Sequence, residues 1–567
     1  MTSVGENFGY TAKGYESTIE ATLEELTNQK IVERIWNKDY TVWSDSPTEI
    51  TNRLGWLVSP ENSKAALPEV NKFVEEIQNE KLENALLLGM GGSSLAPEVF
   101  QNIFGYKEGF LKVSVLDSTD PGAVLNMTNK FDHAKTLYIV STKSGGTIET
   151  ISFMKYFYTF VAGKLGEKVT KHFIAITDPG SGLQKMAEDL KFRKIFLNDP
   201  NIGGRYSALS LFGVVPAALA GVDVEKILSR AKSVGEESKK ENSSSSVLGV
   251  IVGALAENGI DKVTYITSPQ IAPFGAWVEQ LVAESTGKNG KGILPVESES
   301  VEAPEYYSND RLFVYIKLKN ENSNDEKISK LKGAGFPVVE VIWNDLFDLG
   351  AEYMRWELAT AIASWKIKIQ PFDQPNVEAA KVLARAMIKA YNEEGKLPSL
   401  DAVIKENGIT VYGNATGSNV KSAFNNFLEE LENKKSVPQK YLSLQAYLTP
   451  DYKTTEALQQ LRTAIQKKYK TATTVGYGPR FLHSTGQLHK GDAGNGLFIQ
   501  FTSSDANDAS IPDEAGKEKS SLTFGTLIQA QALGDFKALQ ENKRKVVRFD
   551  LGNDAVGGIK KLTDMLS

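Results

Sequence analysis

The chain has no cysteine among its 567 residues, which excludes disulfides, thiolate catalysis and cysteine-ligated zinc. Histidine is nearly as scarce. With four copies, any step that needs an imidazole must draw on His133, His172, His483 or His489. No stretch reaches the roughly 18 uninterrupted apolar residues of a spanning helix. The opening residues, MTSVGENFGYTAKGYES, lack the apolar core of a signal peptide. A dominant charge is also missing. Lys and Arg number 64 against 70 Asp and Glu, giving a net charge of -6, with both signs interspersed along the chain. That balance argues against nucleic acid or an anionic membrane as the main partner. The expectation is a soluble, cytoplasmic protein in which local loops must hold any anionic ligand.

What is present is ordinary globular material, 41% hydrophobic and 24% charged, in a chain too long for one core. Residues 1–60 read as a helical N-terminal segment, because apolar residues recur at three- and four-residue spacing over Tyr15–Trp36. From position 85 the pattern becomes short apolar runs between helical stretches: Ala85–Leu88, Val113–Leu116, Thr136–Val140, His172–Ile176 and Ile195–Leu197. Continuous rather than alternating apolar character predicts parallel strands covered on both faces, here forming a first domain over 61–235. The polar patch Glu236–Ser246 reads as a linker or helix connection. Val263–Ile266, Leu312–Ile316 and Val338–Ile342, closed by a helix around Ala351–Trp365, predict a second unit over 236–400. A third α/β segment, 401–567, offers strands at Ile409–Val411, Tyr441–Leu448, Ala472–Val475, Leu497–Phe501 and Val546–Phe549. Ser503–Ser521, acidic and Ser-rich with Pro512, reads as an exposed loop.

Two loops carry the first chemical signal. Leu86–Ser94 is a strand entering a glycine-rich turn ahead of a helix, a place where backbone N–H groups and the helix dipole favour an anion. It lacks the Gly-Lys-Ser/Thr of a Walker loop. Ser94 stands where a dinucleotide fingerprint needs its third glycine, although Asp117 follows the next strand as a ribose-binding acid would. A tight turn without a ligand is the plain alternative. The second loop, Ser141–Thr150 (STKSGGTIET), sets hydroxyls at Thr142, Ser144 and Thr147, the ammonium of Lys143 and two glycines around one point, a donor set suited to a phosphate monoester. Ser and Thr are also ordinary helix caps. Loops at one carboxyl edge of a parallel sheet can face the same crevice, and a dinucleotide domain has no need of the second. The pair therefore points to a small phosphorylated ligand.

GMGGSSLAP (89–97) with STKSGGTIET (141–150) resembles the sugar-phosphate isomerase (SIS) domain of the glucose-6-phosphate isomerase family. NIGGRYS (201–207), ESTGK (284–288) and FDQPNVEAAK (372–381) are similar to three further segments of that family, in family order. RFLHSTGQ (480–487) is similar to its histidine motif, which commonly lies between the ESTGK and FDQ segments but here follows Lys381. That displaced order, with IVERIWNKDYTVW and NRLGWL near the N-terminus and FGTLIQAQALGDF near the C-terminus, resembles the isomerase half of bacterial transaldolase–glucose-6-phosphate isomerase fusions. No segment resembles transaldolase.

The resemblance implies an α/β fold of two SIS-type parallel-sheet sandwich domains plus a C-terminal α/β segment and a helical N-terminus. It implies reversible isomerisation of a hexose phosphate through a cis-enediol, in glycolysis and gluconeogenesis, with no metal or organic cofactor and a homodimer as assembly. Glu284 would be the base, Arg205 the enediolate stabiliser, and Lys381 would sit near the ring oxygen or the C1 hydroxyl. His483 is favoured over His489 for ring opening, histidine being suited to proton transfer near neutral pH. Thr142, Lys143, Ser144 and Thr147 would bind phosphate, Gly92 and Ser93 the sugar or phosphate edge, and Gln280 and Gln374 sugar hydroxyls or a phosphate oxygen. Each has a plainer reading: solvated Glu and Lys, a structural ion pair for Arg205, local backbone bonding for Ser and Thr. His133 is expected at the surface and His172 in a structural place. Competing functions are an isomerase that also accepts mannose 6-phosphate, a non-catalytic sugar-phosphate sensor, which would usually carry a DNA-binding module not seen here, and a dinucleotide oxidoreductase, in which the 142–147 loop has no role.

Overall fold

The computed structural model describes residues 2–5, 7–432, 438–504 and 507–566, the side chains at 379 and 380 excepted. Three sheets organise it. The first is five-stranded and wholly parallel, in the spatial order Lys112–Leu116, Asn84–Gly89, Thr136–Ser141, Phe173–Thr177, Lys194–Leu197. Its central strands are buried along nearly their whole length, Leu86, Leu87, Leu88, Ile139 and Val140 being fully enclosed, which is why their sequences run apolar without alternation. The strand order reverses between Asn84–Gly89 and Thr136–Ser141. These two strands lie side by side, with Gly89 opposite Ser141. Loops leaving neighbouring strands at such a reversal diverge and open a crevice at the carboxyl edge, and here they are the two loops singled out by sequence.

The second sheet aligns Leu294–Val296, Lys262–Thr267, Arg311–Leu318 and Val338–Trp343 in parallel. Helix Asp348–Lys366 is buried along nearly its whole length and packs on Ser244–Glu257 and Val224–Glu237. The patch at 236–246 is the connection between those last two helices, closed by Ser243, whose side chain accepts the Ser246 N–H as an N-cap. The third sheet sets Ala472–Tyr477, Tyr441–Tyr447, Gly496–Thr502 and Lys545–Asp550 in parallel and ends in two antiparallel strands, Ile409–Gly413 and Ala402–Glu406.

Four readings change. Residues 1–60 do not open as helix: Phe8–Thr11 is a strand, paired antiparallel with Val338–Trp343 and with the two-residue strand Thr2–Ser3. Four residues containing a glycine are too few to show a period. The Ser503–Ser521 stretch, of which positions 505 and 506 lie outside the described residues, holds the strand Ser510–Pro512, paired with Ser520–Thr523. Ala509 and Ile511 are buried there against the helix Ile148–Leu165 side of the first sheet. His172 closes the turn ahead of the strand rather than opening it, and its Nδ1 donates to the Thr136 carbonyl at 2.8 Å. His133 is buried, bonded through its ring nitrogens to the Tyr138 hydroxyl and the Thr128 carbonyl. Burial and the neighbouring Lys164 hold its pKa below the ordinary value.

Candidate active site

Close packing of backbone dictates the glycines of the first loop. A Cβ on Gly92 would lie 1.9 Å from the Gly204 carbonyl oxygen, and one on Gly91, which has a φ of +55°, would lie 3.0 Å from both Cβ and O of His483. Three segments distant in sequence thus meet at this turn. Ser207 Oγ donates to Gly92 O at 3.3 Å, and Ser141 Oγ donates to Ser93 O at 3.1 Å. Gly92 and Ser93 therefore act first as the surface on which other loops are set. Asp117, the residue placed where a ribose acid would be, is paired with Arg480 at 3.0 Å. Burial pushes its carboxyl up to about 6 against the pull of that cation.

In the second loop the Thr142 and Thr147 hydroxyls stand 3.1 Å apart, and Gly145, at φ +73°, passes within 2.1 Å of the Leu183 nitrogen as measured from a hypothetical Cβ. Lys143 departs from expectation. Its ammonium pairs with Asp178 and donates to the Pro200 carbonyl at 2.7 Å, so it braces the loop from the side of the next strand rather than pointing at the crevice with Ser144 and Thr147.

Arg205 is buried and all five of its N–H donors are used. Nε donates to Ser285 Oγ (2.9 Å), Nη1 to Gln374 Oε1 (3.1 Å) and toward Glu284 Oε1 (3.2 Å), and Nη2 to the Pro371 (2.5 Å) and Asp373 (3.0 Å) carbonyls. A rigid fork with every tine occupied fixes a positive charge against the Glu284 carboxylate. Lys288 completes the clamp on the 370–374 turn by donating to Asp373 O and Oδ1 at 2.5 and 2.8 Å. Burial and the adjacent Arg205 lower its pKa to about 8. Gln374 is thereby an acceptor for Arg205. Gln280, expected on the ligand, bridges Glu284 Oε2 (3.0 Å) and the His483 carbonyl (2.7 Å) through its amide nitrogen, while its buried Oε1 has no protein partner. The N-terminal segment backs this arrangement: Trp56 stacks on Tyr206 at 5.2 Å, and Gly55 N–H bonds Asn201 O at 2.9 Å.

The histidine motif leaves the carboxyl end of Ala472–Tyr477 and turns at Arg480–His483. Arg480 reaches across to Glu98 and Asp117 of the first sheet domain, and Gly287 lies so close to Leu488 that a Cβ would sit 2.3 Å from its Cα. These contacts bring His483 beside Gln280 and put its Nε2 3.0 Å from Glu149 Oε1. Burial alone would raise the Glu149 carboxyl, but the charge and hydrogen bond of His483, its own backbone N–H and Lys381 outweigh it and hold it low. His489 goes elsewhere. It is 1% exposed, packed among Tyr441, Phe481 and Phe498, and burial drives its pKa well below the usual value.

A cleft of about 690 Å³ joins Ser144–Thr147, Glu149, Lys381, His483 and Gln531. Lys381 stands on helix Pro375–Glu394, which packs against Phe524–Glu541 of the third unit, Gly534 admitting Ala384. Sequence reasoning passed over Glu149, Lys288, Arg480 and Gln531. Glu149 sat inside a quoted segment but read as a carboxylate in a helix's first turn, and Lys288 closed a quoted motif without a role.

Residues 65–301 match the family model of phosphoglucose isomerase. A probable glucose-6-phosphate isomerase of Methanococcus maripaludis is 28% identical over 384 residues, 59% of this chain and 84% of that protein. A glucose-6-phosphate isomerase of Thermus thermophilus is 26% identical over 381 residues, 59% and 89%. In fold, the crystal structure of a glucose-6-phosphate isomerase from Chlamydia trachomatis superposes with a TM-score of 0.58 at 16% identity, covering 69% of this chain and 90% of that one.

Proposed function

We propose that the chain is a phosphoglucose isomerase, as the match of residues 65–301 to that family's model and the similarity to glucose-6-phosphate isomerases support, and that it interconverts glucose 6-phosphate and fructose 6-phosphate by proton transfer through a cis-enediol. The observation that carries this reading is that one amide ties the Glu284 carboxylate to the turn bearing His483: Gln280 Nε2 donates to both Glu284 Oε2 and the His483 backbone carbonyl. The phosphate is taken by Ser144 and Thr147 with Thr142 behind them, which leaves the sugar to run along the cleft toward His483 and Lys381. His483 moves a proton between the ring oxygen and the C1 hydroxyl to open the ring, with Lys381 near the ring oxygen. Glu284 then removes the C2 proton of the aldose and returns it to C1, while the hydroxyl proton passes from O2 to O1 in the cis-enediol, giving the ketose. The enediolate between these steps carries negative charge, and the preorganised guanidinium of Arg205 offsets it at no cost of reorganisation.

The direct test is Glu284→Gln. The isostere keeps an acceptor for Gln280 and removes the base, so kcat falls by about 10²–10⁴-fold, the usual worth of a positioned general base, and solvent deuterium no longer enters at C2. A variant that keeps wild-type turnover and exchange refutes the assignment.

A further inference from the structure

The cleft contains a polar chain that the mechanism has not used. Thr119, just after strand Lys112–Leu116 of the first sheet, donates from Oγ1 to Gln531 Oε1 at 2.7 Å. Gln531, on helix Phe524–Glu541 of the third unit, donates from Nε2 to Glu149 Oε1 at 2.7 Å. Glu149 Oε1 in turn meets His483 Nε2 at 3.0 Å. Thr119, Glu149 and Gln531 are all buried, so losing a partner here costs more than it would at the open surface.

The direction of each bond follows from what the atoms can do. A carboxylate oxygen only accepts, so the Gln531 group facing Glu149 must be the NH₂; the flipped amide would set two acceptors 2.7 Å apart. The Gln531 oxygen then faces Thr119, and since a carbonyl oxygen also only accepts, the Thr119 hydroxyl must donate. With Glu149 held as an anion, His483 Nε2 has to carry the hydrogen. In the neutral ring Nδ1 is then left with the lone pair.

We propose that Gln531 and Thr119 are positioning residues that lock His483 in the Nε2–H tautomer, so that Nδ1 is the nitrogen that exchanges the ring-opening proton. The inference rests on the reading of His483 as the ring-opening group. A histidine whose far nitrogen is fixed by a hydrogen bond presents one defined base instead of a mixture of two. Without Gln531 the Glu149 carboxylate is free to rotate toward Lys381, which already acts on it electrostatically. The charged groups that face the pair are Lys381 from helix Pro375–Glu394 and Asp117 from the first sheet domain, and neither imposes a tautomer, because neither bonds a ring nitrogen.

The experiment is ¹⁵N NMR of the full chain labelled at histidine, where four side chains give a sparse spectrum and His483→Gln assigns the signal. Recorded at a pH where the His483 ring is neutral, wild type shows its hydrogen on Nε2. Gln531→Leu and Thr119→Val give a mixed-tautomer signal and slow the anomer interconversion of glucose 6-phosphate about 10- to 100-fold, the usual worth of a partner that orients a histidine, at nearly unchanged KM. Thr119→Ser, which keeps the hydroxyl, restores both readouts. An Nδ1–H signal in wild type, or wild-type spectra and rates in Gln531→Leu and Thr119→Val, overturns the proposal. Retained anomer interconversion in His483→Gln refutes instead the role of His483, while the wild-type spectrum still decides the tautomer.

Discussion

Substituting Gly92 by alanine tests whether the approach of the first loop to the Gly-Gly-Arg turn positions the site. The added Cβ would lie 1.9 Å from the Gly204 carbonyl oxygen and 2.2 Å from its carbon, roughly 1.5 Å inside ordinary contact. Neither atom is the end of a flexible side chain. One backbone must yield, and Gly204 immediately precedes Arg205, whose five donors are all engaged by fixed partners. Overpacking of this kind costs about 1–3 kcal/mol in stability. The larger effect is on rate, since a misplacement of about 1 Å in a catalytic group can cost about 10²-fold. Gly92→Ala is therefore expected to stay folded, to melt a few degrees lower, and to lose turnover by about two orders of magnitude. Turnover is measured as glucose 6-phosphate formed from fructose 6-phosphate in a dehydrogenase-coupled assay. Gly163→Ala is the control: it lies in helix Ile148–Leu165 with no atom within 4 Å of a modest Cβ, and should gain up to about 1 kcal/mol with activity unchanged. If Gly92→Ala keeps wild-type kcat while the melting temperature falls, the contact is structural only and the argument fails.

The two histidines of the displaced motif should separate cleanly. His489→Gln lowers the melting temperature with kcat nearly retained, whereas His483→Gln does the reverse; equal loss of activity in both would contradict the placement. Because burial depresses the His489 pKa, the unfolded chain binds its proton first, so stability falls as pH drops below about 6.5 at up to about 1.4 kcal/mol per unit. Denaturant titrations should show that slope reduced in His489→Gln. Lys288, with its pKa lowered to about 8, loses its charge in the folded state as pH rises past that value. Its grip on Asp373 weakens there, giving an alkaline limb in kcat near pH 8 that Lys288→Arg shifts upward; an identical limb in the variant assigns the ionisation elsewhere.

The strands of all three parallel sheets were legible because doubly covered strands must be apolar throughout, as at Leu86–Leu88 and Leu312–Ile316. The pieces that escaped, Phe8–Thr11, Leu294–Val296 and Ala402–Glu406, are short or at an edge, where neither run length nor alternation accumulates. His133 was misjudged from its polar neighbours, since a Tyr138 hydroxyl and a Thr128 carbonyl satisfy its ring inside the fold. At the site, residue types in local motifs indicated a phosphorylated ligand, but what those residues touch is set by partners far away in the chain. Lys143 looked like a phosphate ligand until Asp178, 35 positions later, took its ammonium.

The displaced histidine shows why order along the chain is a poor guide to chemistry here. His483 is delivered by no sequence neighbour of Glu284. It is held by Arg480 against Glu98 and Asp117, by Gln280 against its own carbonyl, and by the absence of a side chain at Gly91 and at Gly287, where His483 and Leu488 press in. Each of these is a condition on the receiving surface rather than on the linker that carries the motif. Any connection long enough to bring the turn to that surface serves, whether it precedes or follows the helix of Lys381. The same logic explains why that helix leans on the third unit through Ala384 and Gly534: once the histidine arrives from the C-terminal segment, Lys381 has to be registered against that segment as well. The Glu149–Gln531 bond ties the third unit to the second loop at the one carboxylate that His483 also uses.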